Sequence, residues 1–354
     1  MEETDLILLW GSNARETHPI FFHHVLKALR RGARLITLDP RRTPSAQWAD
    51  LWLGLEVGSD IAMANAMGRE ILAAGLENRD FLRRAVTDLE AYREAVEPCT
   101  LAWAEQETGV PAAAIREAAH AYAKAPRAMI CWTLGITEHH NAVDNVLALI
   151  NLALLTGHVG RWGSGLNPLR GQNNVQGGGD MGALPDRLPG FQHVENVPLR
   201  EKFEKVWGAP IPPKKGWHLT DMFAAMGRGD LKALYVVGEN PARSEADQAH
   251  AEHRLQNLDL LVVQDLFLTQ TAAMADVVLP AAAAWCESEG TVTNSERRVQ
   301  RVRRAVQPPG EARDDLRILC DLARRLGKDL GEPDPERFWN ELRTVSPVHA
   351  GMSY

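Results

Sequence analysis

The fold class of this chain is decided near its start, where residues 6–11 read LILLWG and residues 35–39 read LITLD. A continuous apolar run that ends at a glycine is typical of a strand buried on both faces of a sheet. Between the two runs, residues 20–31 have the apolar spacing of a helix, which Gly32 ends. A third apolar run lies at residues 51–55. Strands that alternate with helices predict a parallel, doubly wound α/β sheet.

The same alternation continues along the chain and returns after a glycine-rich stretch at residues 157–213. The helix predicted at residues 142–156 is nearly all apolar, which predicts that it is buried. The other predicted elements are helical segments at 79–124 and 312–343 and strands at 128–133, 234–237, 258–263 and 277–279. The predicted domains are a first α/β lobe at 1–165, a Gly/Asn/Gln-rich loop at 166–195, a second α/β lobe at 196–310 and a helical tail at 311–354.

Composition and charge exclude several classes of protein. The 354 residues carry a formal net charge of −7, whereas a general nucleic-acid binder has a basic surface. The four cysteines lie far apart without a CxxC pair, which argues against zinc knuckles, iron–sulfur loops and a disulfide framework. The most apolar run, residues 146–155, is too short to cross a bilayer, and the acidic start differs from a secretory signal. We therefore expect no nucleic-acid partner, no membrane span and a cytoplasmic location.

Small, polar and charged residues follow the predicted strands, at the edge where open α/β sheets bind their ligands. Glycine lets a ligand approach the backbone, an acid after the second strand commonly accepts from ribose hydroxyls, and arginine pairs with phosphate. These positions are Asn13, Asp39, Arg41, Gly58, Asp60, Gly135, Gly238, Glu239, Gln264 and Asp265. They favour a nucleotide-bearing ligand, although turns and helix caps use the same residue types. The first glycine segment, GSNARE at 11–16, lacks the GxGxxG spacing of an NAD-binding domain.

Residues 167–185 read NPLRGQNNVQGGGDMGALP and are the most informative stretch of the chain. Amide and guanidinium side chains crowd a glycine-rich loop that is poor at building a core and suited to wrapping a large polar ligand. The guanidinium of Arg170 is able to hold a small oxyanion through two parallel hydrogen bonds. A solvated loop is the alternative interpretation of this segment.

This loop resembles the RGQNNVQG…DMGALP segment of molybdopterin-dependent formate dehydrogenases, and the resemblance extends over nearly the whole chain. Further family motifs occur in the family's order. They are DPR at 39–41, GSD at 58–60, LLTG at 154–157, GENP at 238–241, QD at 264–265 with TA at 271–272, ADVVLP at 275–280, and EGT with Asn294 at 289–294. One departure is Arg297, which stands where relatives often carry glycine, so we expect that turn to be shaped differently.

The resemblance implies two Rossmann-like lobes of the molybdopterin oxidoreductase type and a bis(molybdopterin guanine dinucleotide) cofactor that carries molybdenum or tungsten. It implies that Arg170 is the active-site arginine, which orients formate for oxidation to CO2. It also implies a set of cofactor contacts across both lobes. These are Asn13, Asp39, Arg41, Gly58, Asp60, Gly135, Gln172, Gly238, Glu239, Gln264, Asp265 and Asp276.

The resemblance also implies parts that this sequence does not supply. The family's iron–sulfur domain needs a four-cysteine set, and its metal-ligating cysteine or selenocysteine is followed by histidine; neither pattern occurs here. We therefore expect no metal ligand and no iron–sulfur cluster from this chain. A partner polypeptide is expected to supply the iron–sulfur domain and the C-terminal cap domain. Two alternatives stay open: a non-catalytic module that binds a molybdopterin nucleotide or assists assembly, and an NAD-dependent α/β dehydrogenase.

Overall fold

The computed structural model describes residues 1–284 and 286–354, and the chain divides into two compact units, residues 1–171 and residues 172–354. Each unit contains a parallel sheet with helices packed against it, which confirms the predicted α/β fold class. In the part of the chain so described, no helix combines the length and the apolar content needed to cross a bilayer.

The first unit alternates strands and helices in the order expected of an α/β domain. Its strands are β1 (Leu6–Trp10), β2 (Arg34–Leu38), β3 (Leu51–Leu53), β4 (Ala128–Trp132) and β5 (Gly165–Pro168). Its helices are α1 (Ala14–Thr17), α2 (Pro19–Arg30), α3 (Asp60–Ala73), α4 (Arg79–Ala85), α5 (Leu89–Val96), α6 (Leu101–Thr108), α7 (Ala112–Lys124), α8 (Leu134–Thr137) and α9 (Ala142–Thr156), with a 3-10 turn at Ala46–Trp48.

The sheet of the first unit has the strand order β3-β2-β1-β4-β5, and every neighbouring pair is parallel. The order reverses between β1 and β4, so the sheet is doubly wound and these two strands flank its topological switch point. Leu6, Leu8 and Trp10 pack on one face of β1, and Ile7 and Leu9 pack on the other. The prediction of a first strand buried on both faces is therefore confirmed.

Helix α9 has the predicted bounds, and it is buried along one face. Leu149 and Leu152 are buried in the core, whereas Val143 is 72% exposed and Leu147 is 49% exposed. Side chains on a helix point outward in all directions, so only the face toward the sheet is buried. The prediction of a buried helix is therefore confirmed for the face toward the sheet, whereas apolar side chains near the start of the helix are exposed.

The second unit begins with short elements and then forms a smaller α/β arrangement. Its strands are β6 (Arg187–Leu188), β7 (Gln192–His193), β8 (Ala233–Val237), β9 (Leu260–Asp265), β10 (Val277–Pro280), β11 (Gly290–Thr293) and β12 (Val299–Val302). Its helices are α10 (Val175–Asp180), α11 (Val197–Trp207), α12 (Leu219–Arg228), α13 (Pro241–Ser244), α14 (Gln248–Gln256), α15 (Gln270–Ala273), α16 (Asp315–Arg325) and α17 (Pro335–Val345).

The main sheet of the second unit has the order β10-β9-β8 with parallel pairing, so consecutive strands are neighbours throughout the described sheet. Phe223 and Met226 of α12 pack with Leu255 of α14 against Val236 and Val263 of the sheet. The pairs β6–β7 and β11–β12 form separate antiparallel ribbons.

The glycine-rich stretch at residues 157–213, within which a loop was expected at 166–195, contains regular structure. Residues 165–168 form β5, which pairs with β4, and α10, α11 and the β6–β7 ribbon follow. The predicted lobe boundary between residues 165 and 166 falls inside β5, and the compact units divide after Gly171. Glycine, asparagine and proline carry no periodic pattern, so β5 could be recognised only from its pairing with β4.

Candidate functional site

The first unit places its candidate residues at the edge formed by the carboxyl ends of the parallel strands, here called the carboxyl edge. Asn13, Asp39, Gly135 and Arg170 follow β1, β2, β4 and β5, and Asp60 begins α3 after β3. Arg41 and Gly58 lie in the connections that follow β2 and β3. This is the edge at which doubly wound sheets bind their ligands.

At the switch point, the backbones of Gly11 and Gly135 touch each other. The Gly135 N–H donates to the Gly11 carbonyl at 3.1 Å, and Thr133 Oγ1 donates to the same carbonyl at 2.7 Å. A Cβ on Gly11 would lie 2.7 Å from the Gly135 carbonyl carbon. Gly135 therefore allows two strand-end turns to approach each other closely. This packing role was not evident from its position in the sequence.

Two buried carboxyl groups lie at the carboxyl edge of the first unit. Asp39 Oδ1 accepts from the Arg41 N–H at 2.9 Å, and Asp60 Oδ1 accepts from Trp10 Nε1 at 2.7 Å. Burial raises the pKa of Asp39, against the opposing effect of the Arg41 N–H. Burial also raises the pKa of Asp60, against the Trp10 hydrogen bond, and the charge of Asp39 raises it further. Such carboxylates favour ligand groups that donate hydrogen bonds, as nucleobase N–H and ribose O–H groups do.

The side chain of Asn13 ties the β1 turn to the connection that follows β2. Asn13 Oδ1 accepts from Ser45 Oγ at 3.1 Å, and Ser45 Oγ accepts from the Arg15 N–H at 2.9 Å. Asn13 Nδ2 donates to Glu16 Oε2 at 2.5 Å. The Asn13 amide is thus occupied by protein partners, and its observed role is to fix the turn beside the site.

The second unit repeats this arrangement at equivalent positions. Asn240 Oδ1 accepts from Thr271 Oγ1 at 2.7 Å, and Thr271 Oγ1 accepts from the Ala242 N–H at 3.1 Å. The N–H of Gly238 bonds to the end of the neighbouring strand at 2.8 Å, as does that of Gly11 in the first unit. Ser45 was missed in the sequence, and Thr271 was noted only as part of a family motif, although TPSA at 43–46 and TQTA at 269–272 place the two hydroxyl residues at the same spacing.

The remaining strand-end candidates of the second unit have different surroundings. Gly238 has a left-handed backbone with φ +63°, and no atom lies within 4 Å of the position a Cβ would take. Glu239 Oε1 accepts from Ser244 Oγ at 2.7 Å, and Asp265 Oδ1 accepts from the Leu266 N–H at 2.6 Å. These groups lie at the carboxyl edge of the second sheet, where Gly238 leaves room for a ligand.

Gln264 is a buried structural residue and does not present a free amide. Its side-chain oxygen accepts from the Tyr235 hydroxyl, and its Nε2 donates to Asp315 Oδ1 at 2.6 Å. Gln264 is 0% exposed. The cofactor contact predicted for Gln264 stays a prediction, and the structure shows its amide bonded within the protein. This amide joins β8 and β9 to the start of α16.

Asp276 lies at the opposite end of its strand from the other candidates. It precedes β10, and its Oδ2 accepts from the Leu261 N–H at 2.7 Å while its own N–H donates to the Leu261 carbonyl at 2.9 Å. Asp50 holds Leu35 in the same way in the first unit, with both distances at 2.8 Å. The four residues of β10 separate Asp276 from the carboxyl edge by roughly 13 Å. The cofactor contact predicted for Asp276 stays a prediction, and in the structure its carboxylate clamps two strands together.

The glycine-rich segment of the second unit is folded onto its own β11–β12 ribbon. Asn174, at φ +63°, accepts from the Thr293 N–H through Oδ1 at 2.8 Å, and a Cβ on Gly177 would lie 1.9 Å from that oxygen. Gln176 Nε2 donates to Asp180 Oδ1 at 2.9 Å. Two of the amides predicted to wrap a ligand are thus used to shape the segment, whereas Gln172 is exposed.

Hydrogen bonds fix the backbone around Arg170, whereas its guanidinium group is exposed. The preceding Leu169 N–H donates to the Trp132 carbonyl at 2.9 Å, and the Arg170 carbonyl lies 2.8 Å from His18 Nε2. Within residues 1–284 and 286–354, the Arg170 guanidinium makes no hydrogen bond or ion pair, so all its donors remain for a ligand. Across the same residues, no group of three His, Cys, Asp or Glu side chains is arranged to hold a metal ion.

Comparison with known proteins gives one consistent family for the chain. Residues 1–325 match the molybdopterin oxidoreductase family. The chain is 43% identical over its whole length to the F420-dependent formate dehydrogenase subunit alpha of Methanocaldococcus jannaschii, covering 52% of that protein. It is 39% identical over its whole length to formate dehydrogenase H of Escherichia coli, covering 50%.

A solved structure gives the same result for the fold. Acetylene hydratase from Pelobacter acetylenicus matches 100% of this chain and 51% of its own chain, with a TM-score of 0.77 and 27% identity. The chain thus spans about half the length of the relatives it matches. These matches confirm the resemblance found from the motifs and set aside an NAD-dependent dehydrogenase. The chain belongs to the molybdopterin oxidoreductase family.

Proposed function

We propose that this chain forms the nucleotide-binding core of a formate dehydrogenase-type enzyme that uses a bis(molybdopterin guanine dinucleotide) cofactor with molybdenum or tungsten. The complete enzyme oxidises formate to CO2, which releases one proton and two electrons per formate. A partner polypeptide or further domains supply the iron–sulfur cluster that receives the electrons and the cap that closes the site. A cytoplasmic location stays a prediction.

The observation that carries this proposal is the repetition of one strand-end arrangement in the two units. In each unit, a glycine follows the first strand of the repeat, an asparagine two residues later binds a hydroxyl, and an aspartate stands at the end of the second strand. One dinucleotide needs one such edge, whereas a cofactor with two guanine dinucleotides needs two. The repetition therefore supports a ligand with two nucleotide ends.

The residues at each edge fit the polar groups of a guanine dinucleotide. Asp39 and Asp265 each accept a backbone N–H through Oδ1, and in the described parts of the chain their second oxygen has no partner. These oxygens would accept from guanine or ribose donors, and Arg41 would pair with phosphate. Gly58 and Gly238 both have left-handed backbones with open space beside the Cα, which leaves room for a bulky group.

Arg170 is the residue of this chain that we assign to the substrate. When bound, the cofactor supplies the two-electron acceptor for the reaction. The planar guanidinium of Arg170 binds the formate carboxylate through two parallel hydrogen bonds and so fixes the direction of its C–H bond. The positive charge favours the anion over neutral CO2, which aids product release.

The nucleotide assignment is tested by cofactor content in the enzyme that contains this chain. Asp39→Asn and Asp265→Asn should each lower the guanine nucleotide recovered per protein, because each removes a charged acceptor. Asp50→Asn is the matched control, since its carboxylate clamps strands at the opposite edge of the sheet. Equal nucleotide content in all three variants and the parent would contradict the proposal.

The substrate assignment is tested separately with Arg170→Lys. A lysine keeps the charge but not the planar pair of donors, so formate turnover should fall while pterin content stays at the parent's level. Unchanged kinetics would rule out the role of Arg170. Retention of pterin with no formate turnover in the parent would instead favour the non-catalytic binding module.

A further inference from the structure

His18 makes a hydrogen bond to the backbone of Arg170 that the proposed reaction does not use. His18 Nε2 lies 2.8 Å from the Arg170 carbonyl oxygen, and His18 Nδ1 lies 2.8 Å from Thr17 Oγ1. A carbonyl oxygen only accepts, so Nε2 carries the proton in this contact. The His18 imidazole therefore donates a hydrogen bond to the backbone of Arg170, the residue that we assign to the substrate.

The imidazole is presented from a rigid junction between two helices. The His18 N–H donates to the Ala14 carbonyl at 2.8 Å, and the His18 carbonyl accepts from the Phe22 N–H at 2.9 Å. Pro19 occupies the first turn of α2 and restricts the backbone at the junction. Phe22 is buried in the core on that face of the sheet. The donor is therefore held by anchored backbone on both sides.

The donor also persists in both protonation states of the ring. In the neutral ring, Thr17 Oγ1 donates to Nδ1 and the Nε2–H remains directed at Arg170. In the charged ring, Nδ1–H donates to Thr17 Oγ1, whose own proton is then directed to the Asn13 carbonyl at 3.2 Å. Each polar atom in this chain of contacts has a partner in either state.

The His18 contact matters for the Arg170 backbone, because the hydrogen-bonded pairing with β4 ends one residue before Arg170. Leu169 continues the pairing with β4 through its N–H and packs against the core beside Phe22. After Arg170 comes Gly171, which has no side chain to restrict the backbone. The His18 contact thus fixes the last residue before a glycine, and with it the Cα from which the guanidinium side chain extends.

We infer that His18 is a positioning residue for Arg170: its Nε2–H fixes the Arg170 carbonyl so that the guanidinium is pre-oriented toward the oxyanion. This inference rests on the proposed role of Arg170 and adds a second residue, from a different element, to the same site. A fixed guanidinium loses less conformational freedom when the anion binds, so the contact favours substrate capture.

The test compares three variants of the full chain and of the enzyme that contains it. His18→Phe keeps a planar ring and removes the donor, whereas His18→Gln keeps an N–H donor at a similar distance from the backbone. His23→Phe is the matched control, because His23 is an exposed histidine of α2. Hydrogen exchange of the peptide covering residues 165–171 reports the order of the segment without cofactor or substrate.

In His18→Phe we expect exchange of the Leu169 amide to rise about five- to tenfold, the size of one lost hydrogen bond. In the enzyme, we expect the KM for formate to rise by a similar factor with pterin content unchanged. His18→Gln should restore both values to within about threefold of the parent, and His23→Phe should leave both unchanged.

Several outcomes would overturn the inference. Parent-like exchange in His18→Phe would show that the contact does not order the segment. Failure of His18→Gln to restore the formate KM would show that ring packing, not the donor, matters. If Arg170→Lys leaves formate turnover unchanged, the proposed function fails instead, and the exchange result alone then decides whether His18 fixes the Arg170 backbone.

Discussion

Replacement of Asp60 tests whether this buried acid is a structural partner of Trp10. Trp10 is 0% exposed, and its indole N–H donates to Asp60 Oδ1 at 2.7 Å. Asp60→Ala leaves that N–H buried without an acceptor, which costs about 1–3 kcal/mol. It also removes the acid from the first turn of α3, which costs about 0.3–1 kcal/mol. We therefore expect the free energy of unfolding of the first unit to fall by about 1–4 kcal/mol.

Asp60→Asn separates the hydrogen bond from the charge. The asparagine oxygen keeps the acceptor, so this variant should lose less stability than Asp60→Ala at any pH. Burial raises the pKa of Asp60 above its ordinary value of 3.8, so the charged form is the disfavoured one in the folded protein. This penalty is absent below pH 3.8 and grows as the pH rises through the folded pKa. Relative to the parent, Asp60→Asn should therefore gain stability from pH 4 to pH 7.

The assay is urea unfolding followed by hydrogen exchange and mass spectrometry of peptides from β1 and α3. Peptides from β9 and α14 belong to the second unit and serve as an internal control. If Asp60→Ala and Asp60→Asn both match the parent within about 0.5 kcal/mol, the Trp10 contact contributes nothing measurable and the reasoning is refuted.

Four further substitutions have contrasting expected effects on unfolding by urea. Gly238→Ala should lower the free energy of unfolding by about 1 kcal/mol, because the backbone at this position is left-handed. Gly11→Ala should lower it by about 1–3 kcal/mol more, because the added Cβ would lie 2.7 Å from Gly135. Equal losses in the two variants would contradict this reasoning. Arg297 has φ +61°, so Arg297→Gly should stabilise the second unit by up to about 1 kcal/mol, and a loss of stability would count against the strain. Burial lowers the pKa of His158 to about 4. The free energy of unfolding should therefore be highest above pH 6.5 and fall by up to about 3 kcal/mol as the pH is lowered to 4. His158→Phe should make this fall smaller.

At Arg297 the sequence departs from that of its relatives, and the structure shows which backbone conformation results. The arginine stands where relatives often carry glycine, so a differently shaped turn was the expectation. Arg297 instead adopts the left-handed backbone that glycine would take, and its N–H donates to the Asn294 carbonyl at 3.0 Å. The pairing of β11 with β12 imposes the conformation, and the side chain tolerates it at a modest cost.

The strand-end residues show the limit of sequence reasoning about the site. Asp39 and Gln264 both stand at strand ends, yet Asp39 retains an oxygen for a ligand and the Gln264 amide is bonded to Tyr235 and Asp315. Asp276 belongs to a family motif, yet it clamps the amino end of its sheet. A position along the chain gives the end of a strand, but the partner of each polar atom depends on segments distant in sequence.

The sequence by itself determined the family, the α/β class and the elements whose apolar pattern is strong. β1 and α9 have the bounds that their residues predict, because burying a continuous apolar run contributes enough free energy to select one local structure. The resemblance of the loop at residues 167–185 is also the source of the role proposed for Arg170, since that order of residue types is specific.

Only the tertiary structure decided the elements and contacts that arise from pairing between distant segments. β5 has no apolar pattern of its own and exists because β4 offers hydrogen bonds along its edge. The repeated asparagine–hydroxyl pairs, the clamps at Asp50 and Asp276, and the bond from His18 to Arg170 join residues far apart in the chain. A hydrogen bond needs a donor and an acceptor within about 3 Å, and folding alone brings such pairs together.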